Sequence, residues 1–341
     1  MHNKALHRFA IFTAVCTFCL VIAGGLVTST QSGLAVPDWP LSYGQLMPPM
    51  VGGIFYEHLH RMVATFVGVL TIILAVWVWR KEDRGWMRIL GFVALALVIM
   101  QGLLGGLTVL LLLPTAVSVS HATLAQTFFA LVSAIALFTS PWWLEKQPQL
   151  SEGAKNSSVV WLPILTTLAV FIQLILGALM RHTHSGLAVP DFPLAYGQVI
   201  PSLSPEAVAN YNQQLIQTDI RLAADGPISS TQIIIHLLHR IWALAVSIMI
   251  LWTSLRFAKL SSVTKRLSMF SYLLIGLLLM QLTLGALTVL SVMAVGITTA
   301  HVAFGALTLA TCVLASLHVI RVFGFPVRKP AIFFSTREVT A

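Results

Sequence analysis

Along the chain, long apolar runs alternate with short polar ones, and eight of the runs are long enough to cross a bilayer as helices. They cover approximately 8–28, 54–79, 86–112, 115–140, 159–180, 231–257, 267–292 and 296–321. Each run is continuous rather than alternating, which argues for helices and against an outer-membrane barrel. The expected fold is an all-α membrane protein with eight transmembrane helices.

Composition narrows the class. Of 341 residues, 57% are hydrophobic and 9% charged, with a mean hydropathy of +0.88, against about 25% charged in a soluble domain. A water-soluble fold, a disordered chain and a collagenous one are excluded, and three cysteines do not make a disulfide scaffold. The net charge of +9 invites a nucleic-acid reading, but its placement does not. With the N-terminus inside, sixteen of the twenty basic residues fall on the inner side, which carries +11 against −2 outside. This is the positive-inside rule, so the charge reports orientation and no nucleic-acid partner is expected. The expected location is the cell inner (plasma) membrane, with both termini cytoplasmic. A cleaved signal peptide over residues 1–28 is the alternative for the first run, disfavoured because a matching run recurs mid-chain. Cys16 and Cys19, three apart on a helix, read as a packing pair, with a redox pair as the alternative.

An internal repeat organises the chain. Gly33 to Gln45 reads GLAVPDWPLSYGQ and Gly186 to Gln198 reads GLAVPDFPLAYGQ, eleven identities in thirteen positions at an offset of 153. His60-Arg61 answers His239-Arg240, Met100-Gln101 answers Met280-Gln281, GGLTVL from Gly105 answers GALTVL from Gly285, and His121 answers His301. The expected arrangement is two pseudo-symmetric four-helix bundles. Residues 1–143 form the first, 144–158 a cytoplasmic linker, 159–325 the second and 326–341 a cytoplasmic tail. An even number of spans per half makes the repeat parallel rather than inverted. The second outer loop is longer, and its polar stretch 202–230 reads as a surface lid or docking element.

Eight of the eleven histidines fall at outer loops or outer helix ends. His60 and His121 each lie about six residues into a span, about 9 Å deep at 1.5 Å per residue, and His239 and His301 match them. Two imidazoles at one depth on different helices suit the two axial faces of a six-coordinate haem. A packed or hydrogen-bonded histidine is the plain alternative for any one of them, but intramembrane ionisable residues are costly, and four in duplicated positions favour function. Zinc or copper is the competing metal, weakened by the lack of a tight ligand cluster. Glu57, three before His60 on one helix face, is answered by His236. A carboxylate there could stabilise a cation or relay protons, or simply suit a helix N-terminus. His58 is expected to be a solvated interfacial residue, while His182 and His184 border the second loop motif. Arg61 and Arg240 could pair with haem propionates or snorkel to the interface. Asp38 and Asp191 follow prolines in what reads as a rigid turned segment capping each half, and Trp39, Phe192, Tyr43 and Tyr196 read as interfacial anchors.

With its duplicated halves, outward His pairs, the SGLAVPDWPLSYGQ loop from Ser32 to Gln45 and the Glu57-x-x-His60-Arg61 motif, the chain resembles the haem A synthases, membrane monooxygenases of cytochrome oxidase assembly. The resemblance covers about residues 8–325. It implies oxidation of the ring D methyl group of haem O to a formyl group by successive hydroxylations, giving haem A. It also implies His60 and His121 as axial ligands of the substrate haem, His239 and His301 as axial ligands of a permanent haem B, and Glu57 as the catalytic residue beside the reacting methyl. Arg61, Arg240 and His236 are the propionate or supporting candidates. Many family members carry a cysteine pair in the outer loops, which this chain lacks, so any thiol-dependent step is unavailable to it.

The main alternative is a dihaem cytochrome b that only transfers electrons. It is disfavoured because both His pairs lie on one side and Glu57 is unmatched. A transporter built from parallel repeats would need more midplane polarity than Gln101, Gln126, Gln173 and Gln281 provide. The partners implied are membrane lipid, haem O and haem A, haem O synthase, an electron donor such as a quinol or redox protein, and a homo-oligomer.

Overall fold

The structure is a computed structural model describing residues 3–145, 157–220, 226–260 and 262–324. The tail expected over 326–341, most of the linker, the middle of the long outer loop and six of the basic residues counted above (Lys146, Lys155, Arg221, Arg328, Lys329 and Arg337) lie outside the described residues.

Ten helices are present among the described residues: α1 (Lys4–Ser29), α2 (Gly52–Lys81), α3 (Gly85–Leu110), α4 (Thr115–Phe138), α5 (Pro141–Leu144), α6 (Ser157–His182), α7 (Pro205–Gln217), α8 (Ser230–Lys259), α9 (Lys265–Leu290) and α10 (Val295–Phe323). All but the short α5 and the loop helix α7 are long and apolar enough to span a membrane, so the chain is a multi-pass helical membrane protein. Many large apolar side chains point outward, among them Ile72, Leu103, Leu244 and Leu279. Such a surface is tolerable only where lipid covers it.

The helix ends follow local chemistry. Asn3 caps α1 by accepting the Leu6 N–H at 3.0 Å, and Ser229 with Gln232 forms a capping box on α8. Two ends depart from the hydropathy pattern: α3 stops at Leu110 and α9 at Leu290, each two residues before the expected limit. The apolar runs continue, but Leu112 and Leu113 take φ of 57° and 59°, and Val292 and Met293 take 52° and 60°. Left-handed backbone cannot extend a right-handed helix.

Helices α1 to α4 close a ring of neighbours, α1 with α2, α2 with α3, α3 with α4 and α4 with α1; α6, α8, α9 and α10 close a second ring in the same order. Across the middle, α1 and α4 meet α10, and α4 meets α6. The consequence is graded burial: 67% of the apolar window of α10 is buried, against 22% for α3 and for α9. At the end of the molecule that carries the α1 N-terminus, Trp142 stacks on the buried His318 at 4.2 Å, and Arg266 lies over the same indole at 4.7 Å.

The long loop holds a helix that hydropathy did not predict. Ser204 caps α7 and Pro205 opens it, and its apolar positions Tyr211 and Leu215 pack on Ala188, Val189 and Ala195 of the second loop motif. Tyr211 stacks on Tyr196 at 3.7 Å. The segment thus docks on its own half's repeat motif.

Candidate functional site

The duplicated loop is built around its aspartate. Tyr43 and Gly44 take left-handed backbone, as do Tyr196 and Gly197, which turns their amides toward one point. The Asp38 carboxylate accepts both, Tyr43 N–H at 2.6 Å and Gly44 N–H at 2.8 Å. Asp191 repeats this on Tyr196 and Gly197 at 2.7 and 2.9 Å. These amides hold the Asp38 carboxyl below its ordinary value of 3.8. Each tyrosine hydroxyl reaches back to a carbonyl, Tyr43 to Ala35 at 2.7 Å and Tyr196 to Ala188 at 2.8 Å, so these rings serve the turn as well as the interface.

The arginines after the ligand candidates clamp these loops. Arg61 donates to the carbonyls of Asp38 (2.7 Å), Leu41 (2.8 Å) and Val36 (3.3 Å). Arg240 donates to Asp191 (2.7 Å), Leu194 (2.9 Å) and Val189 (3.2 Å), the same three positions of the repeat. Interfacial snorkelling does not describe them.

The loop copies differ at two positions, and both differences have a facing counterpart. A Cβ on Gly106 would meet the Trp39 ring at 2.7 Å; the repeat position of Gly106 is Ala286, where the loop carries the smaller Phe192. Ser42 Oγ lies 2.9 Å from His58 Nδ1; their repeat positions are Ala195 and Leu237, a pair with no hydrogen bond to make. His58 is 5% exposed, so the expectation of a solvated residue is corrected. The Ser42 partner allows the imidazole to be buried at the loop–helix junction, a signal visible in the repeat as a paired change of 42 and 58.

Four histidines share one local design. A Cβ on Gly24 of α1 would lie 3.2 Å from His60 Cε1 of α2, and one on Gly105 of α3 would lie 3.2 Å from His121 Cε1 of α4. In the second half the pairs are Gly177 of α6 with His239 of α8 at 3.1 Å and Gly285 of α9 with His301 of α10 at 3.2 Å. Each imidazole therefore occupies space that a neighbouring helix leaves by having no side chain. His60 and His121 lie on two helices of the first ring, and His239 and His301 on the matching two helices of the second. Nδ1 of His60 and of His301 is buried without a partner, although each residue stays partly exposed, while both ring nitrogens of His239 lie within 3.3 Å of Gln173 Nε2. One edge of the ring is packed away while the residue still reaches open space, which leaves the other ring nitrogen for an axial-ligand role.

Glu57 stands one turn before His60 and is 3% exposed. Its Oε2 accepts the Val36 N–H at 2.8 Å and its Oε1 pairs with Arg61 at 2.6 Å. His236 is equally buried, and its Nδ1 lies 2.9 Å from the Ser185 carbonyl. Both residues pin the loop, the carboxylate by accepting from an amide and the imidazole by donating to a carbonyl. Of the other histidines, His184 is exposed with φ of 54°, and the His182 carbonyl accepts from Thr115 of α4 at 3.3 Å. Arg181 reaches across to the Thr28 carbonyl of α1.

Among the described residues no group of three or more His, Cys, Asp or Glu side chains could hold a metal ion. Cys16, Cys19 and Cys312 are free, with Cys19 exposed and Cys312 buried.

Fold and site together define a helical membrane protein with two pairs of glycine-seated histidines beneath duplicated loops. A family model described as a cytochrome oxidase assembly protein, COX15-CtaA, matches residues 7–52 and 50–313, and the chain belongs to this family. It is 33% identical over 227 residues to a protein named heme A synthase from Halalkalibacterium halodurans, covering 63% of this chain and 72% of the relative. Heme A synthases of Shouchella clausii (31% over 215 residues, 60% and 69%) and Lysinibacillus sphaericus (29% over 225 residues, 65% and 71%) are similar to it over comparable shares.

Proposed function

We propose that this protein is a haem A synthase, oxidising the ring D methyl group of haem O to a formyl group to give haem A. The observation that carries the reading is the four glycine-seated histidines, two in each ring of helices, in a chain of this family. We divide the chain into the two bundles expected from the repeat, 1–143 and 159–325, because each closed ring of neighbouring helices contains one histidine pair.

In this reading His60 and His121 hold the iron of the substrate haem in the first half, and His239 and His301 hold haem B in the second. A bound haem B supplies one-electron transfer. The chain's own residues do the rest. Glue between loop and helix is provided by Glu57, Arg61, Arg240 and His236, which fix the duplicated loops over the histidine pairs and limit water entry. Glu57, on the face of His60, is our catalytic candidate: its carboxylate sets a negative charge beside the substrate and can take a proton there once Arg61 shifts. Propionate contacts from Arg61 and Arg240 would use the guanidinium N–H groups not engaged on loop carbonyls. We place the site toward the outer face of the cell membrane with both termini cytoplasmic, as the distribution of basic residues supports. The reaction needs an electron donor, a quinol or a redox protein, and a haem O synthase upstream.

The test is to purify the protein from cells that make haem O and extract its haems. Haem B together with haem O, its alcohol or haem A is expected; haem B alone would overturn the reading and favour simple electron transfer. His60→Ala should remove the substrate haem and keep haem B, and His239→Ala should remove haem B. Glu57→Gln, which keeps an acceptor for the Val36 amide, separates chemistry from loop anchoring: product formation equal to the unaltered protein would take Glu57 out of the catalytic step.

A further inference from the structure

One turn from each seating glycine, on the same helix face, stands a second residue of the seat. On α6 it is Gln173 before Gly177, on α9 Gln281 before Gly285, on α3 Gln101 before Gly105, and on α1 Leu20 before Gly24. Gln173 Nε2 donates to the His239 carbonyl at 3.1 Å and lies 3.1 and 3.3 Å from the two ring nitrogens. Gln281 Nε2 donates to the His301 carbonyl at 2.9 Å. Both bonds tie the helix that carries the histidine to its neighbour at the histidine itself. Gln101 holds the same position beside the His121 seat, with its Oε1 buried and unpartnered. Leu20 is the repeat counterpart of Gln173, and its side chain has no group with which to make such a bond.

We infer that Leu20 makes His60 the exchangeable ligand, the imidazole that yields when one haem enters the first half and the oxidised one leaves, while the amide-tied seats of His239 and His301 retain theirs. The inference rests on the reading of the first half as the substrate site. A synthase must release one haem in every turnover and keep the other, so unequal ligand seats are required of it. Of the two seat positions the halves share, the second keeps glutamine in both (Gln101 and Gln281), and the chain differs only at the first, Leu20 against Gln173. In an interior where water does not compete, the presence or absence of one interhelical hydrogen bond changes a local opening equilibrium by about 2- to 12-fold.

The experiment is haem transfer from the purified, haem-loaded protein to an excess of a haem-scavenging apoprotein, with the haem remaining identified by extraction and its low-spin spectrum. In the unaltered protein haem O or haem A should leave faster than haem B. Leu20→Gln should slow that departure about 2- to 12-fold, Leu20→Met should leave it unchanged, and Gln173→Leu should speed the loss of haem B by a similar factor. Equal rates for Leu20→Gln and Leu20→Met, or haem B leaving the unaltered protein as fast as haem O, would overturn the inference with the two-site reading intact. Full retention of haem O in His60→Ala would instead overturn the assignment of the first half, and the inference with it.

Discussion

The four seating glycines allow a prediction whose sign depends on what faces each position. Gly→Ala within a helix ordinarily stabilises by about 1 kcal/mol. At Gly105 the new Cβ would lie 3.2 Å from His121 Cε1, and at Gly177 it would lie 3.1 Å from His239 Cε1, closer than ordinary van der Waals contact, so the imidazole must retreat by a few tenths of an ångström. Crowding of this kind costs about 1–3 kcal/mol, which offsets or exceeds the propensity gain, and the displaced ring is the proposed ligand. A Cβ added at Gly102 of α3 or Gly276 of α9 would meet nothing within 4 Å, so Gly102→Ala and Gly276→Ala give the background. Thermal unfolding in detergent should show the controls equal to or more stable than the unaltered protein. Haem extraction and low-spin spectra should show substrate haem lost or altered in Gly105→Ala, and haem B lost or altered in Gly177→Ala. If Gly105→Ala and Gly177→Ala match Gly102→Ala in both stability and haem complement, the histidines do not depend on these seats and the ligand assignment loses its structural basis.

The loop makes three further predictions. Gly106→Ala should destabilise by about 1–3 kcal/mol, and Trp39→Phe in the same chain should recover most of it, giving a coupling of about 1 kcal/mol or more in a double-mutant cycle read by thermal unfolding; additive effects would deny that the repeat compensates here. Arg61→Ala should cost about 3–5 kcal/mol by leaving Glu57 buried and unpaired, with Arg61→Lys recovering only part because one ammonium cannot replace a fork spanning three carbonyls; unfolding measurements on both variants check this. Because the Asp38 carboxyl is depressed by the Gly44 and Tyr43 amides, its contribution is present in full above pH 3.8, its ordinary value, and is lost only as pH falls through the lower folded value. Hydrogen exchange at Tyr43 and Gly44 should therefore stay slow from pH 7 down to pH 4, and Asp38→Asn should expose these amides across that range.

Much of the fold was legible because a bilayer demands continuous apolar runs, and eight of them correspond to eight long helices. What hydropathy could not show was backbone handedness: Leu112, Leu113, Val292 and Met293 extend the apolar runs while ending the helices. It also passed over α7, where Tyr211 and Leu215 recur one turn apart in an otherwise polar stretch and bury a narrow stripe against the loop. The histidine positions were readable from duplication alone. Their seats were not, even though Gly105 and Gly285 sit inside a motif already seen to repeat, because a glycine's purpose depends on what faces it from another helix. His58 misled for the same reason, since its partner Ser42 is sixteen residues away across a turn.

Four exchanges between the halves, at the loop contacts and beside the first histidine of each pair, sort into two kinds, and the sorting bears on function. Trp39 with Gly106 against Phe192 with Ala286, and Ser42 with His58 against Ala195 with Leu237, are exchanges in which size or polarity changes on both sides of one contact. They preserve packing and imply nothing about chemistry. Glu57 against His236 and Leu20 against Gln173 are of another kind. Glu57 accepts from the Val36 amide while His236 takes the Ser185 carbonyl, and Gln173 makes bonds that Leu20 cannot. Both of these exchanges fall beside the first histidine of each pair, within one helical turn of His60 or His239 or of the glycine that seats it, while the clamp formed by Arg61 and Arg240 is kept. The proposed division, with chemistry and exchange at His60 and retention at His239, would place these two exchanges where they fall.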